Sequence, residues 1–184
     1  MKIRHALGAV AAALIASALV AAPASASTKG SITVEQIPGV IQNDLEQRDE
    51  LFALAEEQSP EEVQQLLAEA AEAHVPMDIL VDVETGVQIA ATPSEAPIST
   101  FAIDMKCLDN PAKLTVTAGA KEAVYCFRGT GTYTGTWGPA IKLSAGAYTT
   151  TAWYGSSLQY GVWAAAGNTQ YFSSPVTVKK ITRS

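Results

Sequence analysis

Hydrophobic and polar residues alternate along most of the second half of the chain. An alternation with a period of two places successive side chains on opposite faces of a β-strand. Turn residues such as glycine, asparagine and proline separate the alternating runs, as they do between the strands of a sheet. Strands this short and this closely spaced predict an all-β antiparallel sandwich or small barrel. The runs cover residues 113–117, 123–127, 140–144, 147–154, 158–164, 169–173 and 176–181.

A helical period replaces this alternation in the first part of the region 27–90. Apolar residues recur at helical spacing from 40 to 54, in a segment that is otherwise highly charged. Thr33, with Gln36 three residues later, has the spacing of a capping box and is a candidate start for this helix. We therefore expect a short helical region here.

Ser59, Pro60 and Glu62 mark the start of a second predicted helix. Ser59 can act as the N-cap, Pro60 suits the first helical position, and Glu62 is placed to complete a capping box. Beyond this helix the period changes to two. The runs 79–83 and 87–90 flank a turn that contains glycine, which predicts a β-hairpin at the end of the region.

The turn of this hairpin has the pattern Asp82-x-x-Thr85-Gly86. A helix followed by such a hairpin resembles half of the PepSY-type pro-domains of secreted bacterial proteins. The resemblance covers about thirty residues and implies that the region 27–90 is a pro-region. The alternative interpretation is a solvated module of two helices that has no role in processing.

The N-terminus has the sequence order of an export signal. Lys2 and Arg4 precede an apolar run over residues 6–22, and a triplet of small residues follows. This order of charged, apolar and cleavable segments predicts a secretory signal peptide at residues 1–26. The apolar run is rich in alanine and barely long enough to cross a bilayer, so we expect cleavage rather than a stable membrane span. The predicted location is therefore extracellular.

Charge divides the remaining chain near residue 98. Fifteen of the eighteen acidic residues fall in 27–98, which gives this part a net charge of −13. Residues 99–184 carry eight Lys or Arg and three acidic residues, a net charge of +5. A linker at 91–100, rich in Pro, Ser and Thr, lies on the boundary and has the composition of a protease-accessible segment. We expect the acidic region to mask a basic, aromatic-rich β-domain at 101–184 until the linker is cut.

Cys107 and Cys126 are the only cysteines of the chain. An even pair in an exported chain predicts a disulfide bond, which stabilises a domain by about 3 kcal/mol for a loop of this length. The two histidines, His5 and His74, both lie outside the predicted β-domain. Histidine-based nucleophilic catalysis and histidine-based zinc sites are therefore excluded within that domain. We expect no enzymatic activity, no cofactor and no metal.

Aromatic residues are concentrated in the predicted β-domain, which holds twelve of the thirteen in the chain. In the runs 147–154 and 158–164 they fall on both faces of the predicted strands, so some of the rings must be exposed. Exposed Tyr and Trp rings offer large, stiff contact area to sugars or protein surfaces, and lysines near the C-terminus add positive charge. The candidate binding residues are Tyr133, Trp137, Trp153, Tyr154, Tyr160, Trp163, Lys179 and Lys180.

Residues 128–140, RGTGTYTGTWGPA, contain four glycines and four threonines. The segment is not a dinucleotide-binding loop, because Thr134 occupies the position of the third glycine and no helix pattern follows. With a period of two, the threonines after Gly129 share one face of a strand, while Tyr133 and Trp137 share the other. We interpret the segment as a β-edge or a long hairpin beside Cys126.

Three classes of function remain for a secreted, non-enzymatic binding protein. The first is an antimicrobial or cell-envelope-binding β-domain, whose partner is an anionic envelope polymer or lipid. The second is a proteinaceous inhibitor of a secreted hydrolase, either a protease or an amylase. The Trp- and Tyr-rich domain with its one disulfide resembles bacterial α-amylase inhibitors in general style. It lacks their Trp-Arg-Tyr triplet, and its single cysteine pair differs from their tight disulfide scaffold. The third is a structural or adhesive surface protein. Nucleic acid is not an expected partner, since no binding motif is present.

Overall fold

The computed structural model describes residues 32–38, 44–94, 107, 110–118 and 121–184. The predicted signal peptide and residues 95–100 of the predicted linker lie outside the described residues. The described ranges contain two helices, α1 (Asp44–Glu57) and α2 (Pro60–Ala73). They also contain nine strands: β1 (Thr33–Pro38), β2 (Met77–Val81), β3 (Gln88–Pro93), β4 (Ala112–Ala118), β5 (Lys121–Arg128), β6 (Gly131–Ser144), β7 (Thr150–Tyr154), β8 (Tyr160–Ala164) and β9 (Thr169–Arg183).

The nine described strands belong to one sheet. Its main order is β1-β5-β4-β6-β9-β2-β3, and β7 pairs with both β8 and β9. The long strands β6 and β9 pair from Gly131 opposite Arg183 to Ser144 opposite Thr169. On its other edge, β9 pairs with β2 through its first residues and with β7 through its last residues. The hairpin β2–β3 and the hairpin β7–β8 thus extend the sheet from different ends of one strand.

Register shifts in the β6–β9 pair lie between Thr134 and Lys142. Such bulges bend a strand locally and increase its twist. Side chains from both ends of the sheet enter one core, which includes Phe127 of β5, Phe172 of β9 and Val162 of β8. The sheet is nevertheless open, because its outermost strands β1 and β3 do not pair with each other. The antiparallel, sandwich-like prediction is therefore confirmed, and the alternative of a small barrel is wrong.

One strand pair departs from the predicted antiparallel pattern. Strands β2 and β9 run parallel, with Asp78 opposite Thr169 and Val81 opposite Phe172. A parallel pair needs a long connection, and the chain between these strands supplies one by forming β3 to β8. The alternation of polar and apolar residues does not indicate whether a strand pairs parallel or antiparallel with a strand so distant in sequence. The fold is mostly antiparallel, not wholly so.

A strand stands where the sequence predicted the start of a helix. Strand β1 pairs antiparallel with β5, with Thr33 opposite Arg128. Ile32, directly before this strand, is buried in the main core. The backbone hydrogen bonds to β5 and the burial of Ile32 outweigh the weak capping signal of Thr33 and Gln36. The first described helix starts only at Asp44.

Helix α2 begins as predicted, at a capping box. The Ser59 hydroxyl accepts a hydrogen bond from the backbone N–H of Glu62 at 3.3 Å, and the Glu62 carboxylate accepts one from the Ser59 backbone N–H at 2.8 Å. Such bonds satisfy N–H groups that have no partner inside a helix. Val63, on the next turn, is fully buried and packs in the main core. The predicted hairpin after this helix is confirmed as the antiparallel pair β2–β3.

Residues on both sides of the predicted linker contribute to this sheet and its core. Leu51 of α1 and Leu80 of β2 form a buried cluster with Tyr171 of β9. Residues 91–93, assigned to the linker by composition, belong to β3. The domain boundaries stay a prediction, but the two regions share paired strands and a buried core.

The predicted disulfide is confirmed between Cys107 and Cys126. Cys126 lies in β5 and is fully buried, and both cysteines pack with Val124 in a small apolar cluster. A disulfide is typical of proteins that fold in an oxidising compartment, which agrees with an exported chain.

Candidate binding surface

Strands β6, β9, β7 and β8 are neighbours in that order and present one outward face. Their register aligns two rows of side chains across the four strands. Residues between the rows, such as Ala152, Val162 and Ile181, are buried and point into the core. We call the outward surface the threonine–tryptophan face. One row consists of Thr132, Thr182, Thr151 and Trp163, and the other of Thr134, Lys180, Trp153 and Gly161.

Trp153 is held by neighbours on both adjacent strands. Its indole Nε1 donates a hydrogen bond to the Thr182 hydroxyl at 3.1 Å, and Nζ of Lys180 lies 4.2 Å from the ring centroid in a cation–π contact. On the β8 side, a Cβ added at Gly161 would come within 3.1 Å of the indole. A larger residue there would therefore displace the ring. Trp153 is only partly exposed, and its orientation is fixed before any partner arrives.

Trp163 is the more accessible of the two indoles on this face. It is 55% exposed, the highest value among the large hydrophobic residues that the structure describes. Its neighbours in the strand, Val162 and Ala164, are buried and anchor β8 to the core. The ring therefore stands on a rigid strand and offers apolar area to the solvent, which is a typical feature of a binding surface.

A cleft of about 240 Å³ opens beside Trp163. It lies between β8 and the β2–β3 hairpin, so residues from both sides of the predicted linker line it. Every lining side chain is uncharged, and Gln88 is the one with an amide group. The lining residues are Val81, Gly86, Gln88, Gly161, Val162 and Trp163.

Tyr154 and Tyr160 lie together, but only one of them is at the surface. Tyr154 is 6% exposed, and its hydroxyl donates a hydrogen bond to the Val83 carbonyl oxygen at 2.7 Å. Tyr160 stacks on it, with the ring centroids 5.7 Å apart, and stays 44% exposed. Burial, followed by the negative charge of Asp82 and the neighbouring Tyr160, raises the pKa of the Tyr154 phenol. Tyr154 is a core residue, and Tyr160 is available for contact.

The two rings of the glycine–threonine segment also differ in exposure. Trp137 is 6% exposed and packs edge to face on Phe127, with a centroid distance of 5.2 Å. Tyr133 remains 39% exposed and lies 5.8 Å from Trp137. Gly135 makes room for the buried indole, because a Cβ at this position would overlap the Trp137 ring. Both rings are on the same, inward side of β6, as the period of two predicted, and Thr132 and Thr134 are on the outward side.

Lys180 belongs to the threonine–tryptophan face, whereas Lys179 lies at a register shift. Trp153 is opposite Lys180 and Tyr154 is opposite Val178, so Lys179 falls between two paired positions. It is half-buried. Of the eight predicted site residues, the structure thus brings three together on the threonine–tryptophan face, namely Trp153, Trp163 and Lys180. Tyr160 is exposed at the adjoining edge strand.

Most residues of the surface and the cleft were not predicted as site residues, among them Thr151, Thr182, Gly161 and Gln88. Thr151 and Thr182 follow the same period of two as Trp153 and Lys180, so their place on the outward face was readable from the pattern. Gly161 and Gln88 gave no such signal. Their roles depend on the Trp153 ring and on the proximity of the hairpin to β8, which only the folded chain shows.

The described residues offer few groups for other chemistry. Within them, no three His, Cys, Asp or Glu side chains lie close enough together to hold a metal ion. No helix in the described ranges has the length and apolar character needed to cross a membrane. Comparison with protein-family models, with curated proteins and with solved structures gives no match to this chain. The resemblance of the hairpin turn to PepSY-type pro-domains therefore stays a prediction.

Proposed function

We propose that this chain is a secreted, non-enzymatic protein that binds an anionic polymer of the cell envelope through the threonine–tryptophan face. The observation that carries the proposal is the arrangement of two indoles and a lysine on one outward face of the sheet. Trp153 is fixed beneath Lys180, and Trp163 stands exposed on the next strand. An antimicrobial effect would be a consequence of such binding, not a separate activity.

The chemistry of the face suits a polymer that carries both hydroxyl and anionic groups. Indole rings pack against the apolar face of a sugar through dispersion and the burial of apolar area. Threonine hydroxyls both donate and accept hydrogen bonds, as polymer hydroxyls require. Lys180 attracts anionic groups along the same surface. The two rows contain no acidic residue, whereas acidic residues are concentrated on α1 and α2, which pack on the β2–β3 hairpin.

A sedimentation assay with insoluble cell wall tests this proposal on the full chain. We expect the wild-type protein to be retained and to be released when NaCl is raised from about 50 to about 500 mM, because salt screens exposed charges. Trp163→Ala should weaken retention by about tenfold, as expected for an exposed aromatic anchor. Lys180→Met should weaken retention and reduce its dependence on salt. Phe52→Ala is the matched control, since Phe52 is an exposed ring on α1, away from this face.

Other results would point to the remaining classes of function. Inhibition of a secreted amylase or protease at one-to-one stoichiometry, without retention on cell wall, would favour the inhibitor. Retention on anionic lipid vesicles but not on wall polymer would identify a lipid partner. Absence of retention on cell wall, or retention that Trp163→Ala and Lys180→Met leave unchanged, would overturn the proposal.

A further inference from the structure

The cleft beside Trp163 is continuous with the threonine–tryptophan face, because Gly161 and Trp163 belong to both. A polymer that lay along the face would therefore reach the cleft at the edge of β8. The far wall is formed by Val81, Gly86 and Gln88 of the β2–β3 hairpin. The cleft thus exists only where the hairpin, from the acidic region, meets β8.

The volume of the cleft limits what it can hold. Pockets for drug-sized ligands usually enclose about 300–1,000 Å³. At about 240 Å³ this cleft is smaller, and it suits a single ring of a longer ligand. Gly86 and Gly161 have no side chains to fill the cleft, and Val81 and Val162 add apolar surface to its lining.

The side chains of the cleft indicate the chemistry of that ring. The indole of Trp163 offers an apolar wall, on which the C–H face of a sugar ring can pack. Gln88 offers a side-chain amide, whose Oε1 accepts a hydrogen bond of 3.4 Å from the Gln64 amide nitrogen. The amide nitrogen of Gln88 is a donor for a sugar hydroxyl. An aromatic wall combined with an amide donor is a suitable arrangement for a neutral sugar.

The charge near the cleft is negative, whereas Lys180 gives the threonine–tryptophan face a positive charge. The hairpin turn that contains Gly86 also carries Asp82 and Glu84. The Asp82 carboxylate accepts a hydrogen bond from the Glu84 backbone N–H at 2.9 Å. Hydrogen bonds from Glu84 and from Thr85 hold the pKa of Asp82 below its ordinary value, so this carboxylate is ionised at neutral pH. An anionic group is therefore disfavoured at the hairpin end and favoured at Lys180.

We infer that the cleft between β8 and the β2–β3 hairpin is a subsite for one uncharged sugar ring. This inference rests on the proposed function, and it gives the bound polymer a defined orientation on the face. The neutral ring lies against Trp163 and Gln88, and the anionic groups of the polymer lie toward Lys180. Because the hairpin forms one wall, the subsite requires the acidic region and the β-domain to remain in one folded unit.

Titration of the full chain with soluble, neutral oligosaccharides of glucose and of N-acetylglucosamine tests this inference. We expect saturable changes in tryptophan fluorescence and saturation-transfer NMR signals from the sugar ring. Trp163→Ala and Gln88→Leu should each weaken binding by about tenfold. Gln65→Leu is the matched control, because Gln65 is an exposed glutamine on α2 whose amide nitrogen donates to the Glu69 carboxylate at 2.7 Å. Gln88→Leu keeps the test informative if Trp163→Ala destabilises the fold.

The outcome can be separated from that of the cell-wall assay. Wall retention without any binding of neutral oligosaccharides would overturn the subsite and leave the proposed function standing. Binding of neutral sugars without retention on an anionic polymer would overturn the proposed function and leave the subsite standing. Sugar binding that Gln88→Leu and Trp163→Ala leave unchanged would place the sugar elsewhere and overturn the inference.

Discussion

The phenol of Tyr154 donates a hydrogen bond of 2.7 Å to the backbone carbonyl of Val83, which lies 71 residues earlier in the chain. Val83 is the second residue after β2, and Tyr154 ends β7. The bond therefore joins the two hairpins that extend β9 from its opposite ends. It also ties the acidic region to the strands that carry Trp153 and Trp163.

Loss of this bond should destabilise the whole chain. We expect Tyr154→Phe to lower the free energy of unfolding by about 1 kcal/mol, because the ring still fills its site while the Val83 carbonyl loses a buried donor. Urea denaturation followed by circular dichroism measures the change. Tyr160→Phe removes a hydroxyl from an exposed ring and serves as the control. Equal stabilities of the two variants would contradict a structural role for the Tyr154 hydroxyl.

The same phenol makes stability depend on alkaline pH. Burial and the charge of Asp82 raise the pKa of Tyr154 above its ordinary value of 10.0 in the folded chain. Since the unfolded chain then releases this proton more readily, the contribution to stability is complete below pH 10 and is lost as pH rises through the folded pKa. Tyr154→Phe lacks the group. The stability difference between wild type and this variant should therefore narrow above pH 10, and a constant difference would disprove the linkage.

Arg48 fastens α1 to the sheet. Its Nε donates to the Phe172 carbonyl oxygen at 2.8 Å and its Nη2 to the Ser173 carbonyl oxygen at 2.7 Å. Arg48→Met keeps most of the apolar stem and removes both bonds, so we expect a loss of about 2 kcal/mol in the free energy of unfolding. Glu50→Gln, at an exposed position of the same helix, is the control. A loss no greater than that of the control would show that α1 docks through apolar contacts alone.

Loss of the capping box of α2 tests whether the acidic region and the β-domain unfold together. Ser59→Ala removes the acceptor for the Glu62 backbone N–H and should destabilise the helix by about 1 kcal/mol. All three tryptophans lie after residue 100. If the shared core makes unfolding cooperative, the tryptophan fluorescence transition will shift together with the helical circular dichroism signal. Ser156→Ala, in an exposed turn, should shift neither signal. A shift in circular dichroism alone would mean that the acidic region unfolds independently.

Local signals in the sequence predicted much of the fold. The residues Ser59-Pro60-Glu61-Glu62 marked the start of α2, because capping depends on neighbours within one turn. The hairpin around Gly86 was also predicted from neighbouring residues, because glycine is common in turns. In the structure Gly86 has a φ of +74°, a left-handed conformation that favours glycine. The disulfide followed from the number of cysteines. In each case the physical cause lies within a few residues or in composition.

Features that depend on distant partners were not predicted. The pairing of β1 with β5 and the parallel pairing of β2 with β9 each join segments about 90 residues apart. The period of two placed Trp137 on the same face as Tyr133, and Trp163 on the face opposite to Tyr160, but it could not say which face of each strand would be covered. Phe127 covers Trp137, whereas Trp163 stays exposed. Of the predicted residues, only Trp153, Trp163 and Lys180 therefore lie together on the threonine–tryptophan face.

Removal of the disulfide should have a large effect that reductant can reproduce. Cys107 and Cys126 are 19 residues apart, and a bond across a loop of this length stabilises the fold by about 3 kcal/mol, chiefly by restricting the unfolded chain. The variant with both cysteines replaced by alanine should therefore lose about that amount in urea denaturation. Wild-type protein in reductant should show a similar loss, while the double variant should not respond to reductant. A reductant-sensitive double variant, or a wild type that reductant leaves unchanged, would contradict a stabilising role for this bond.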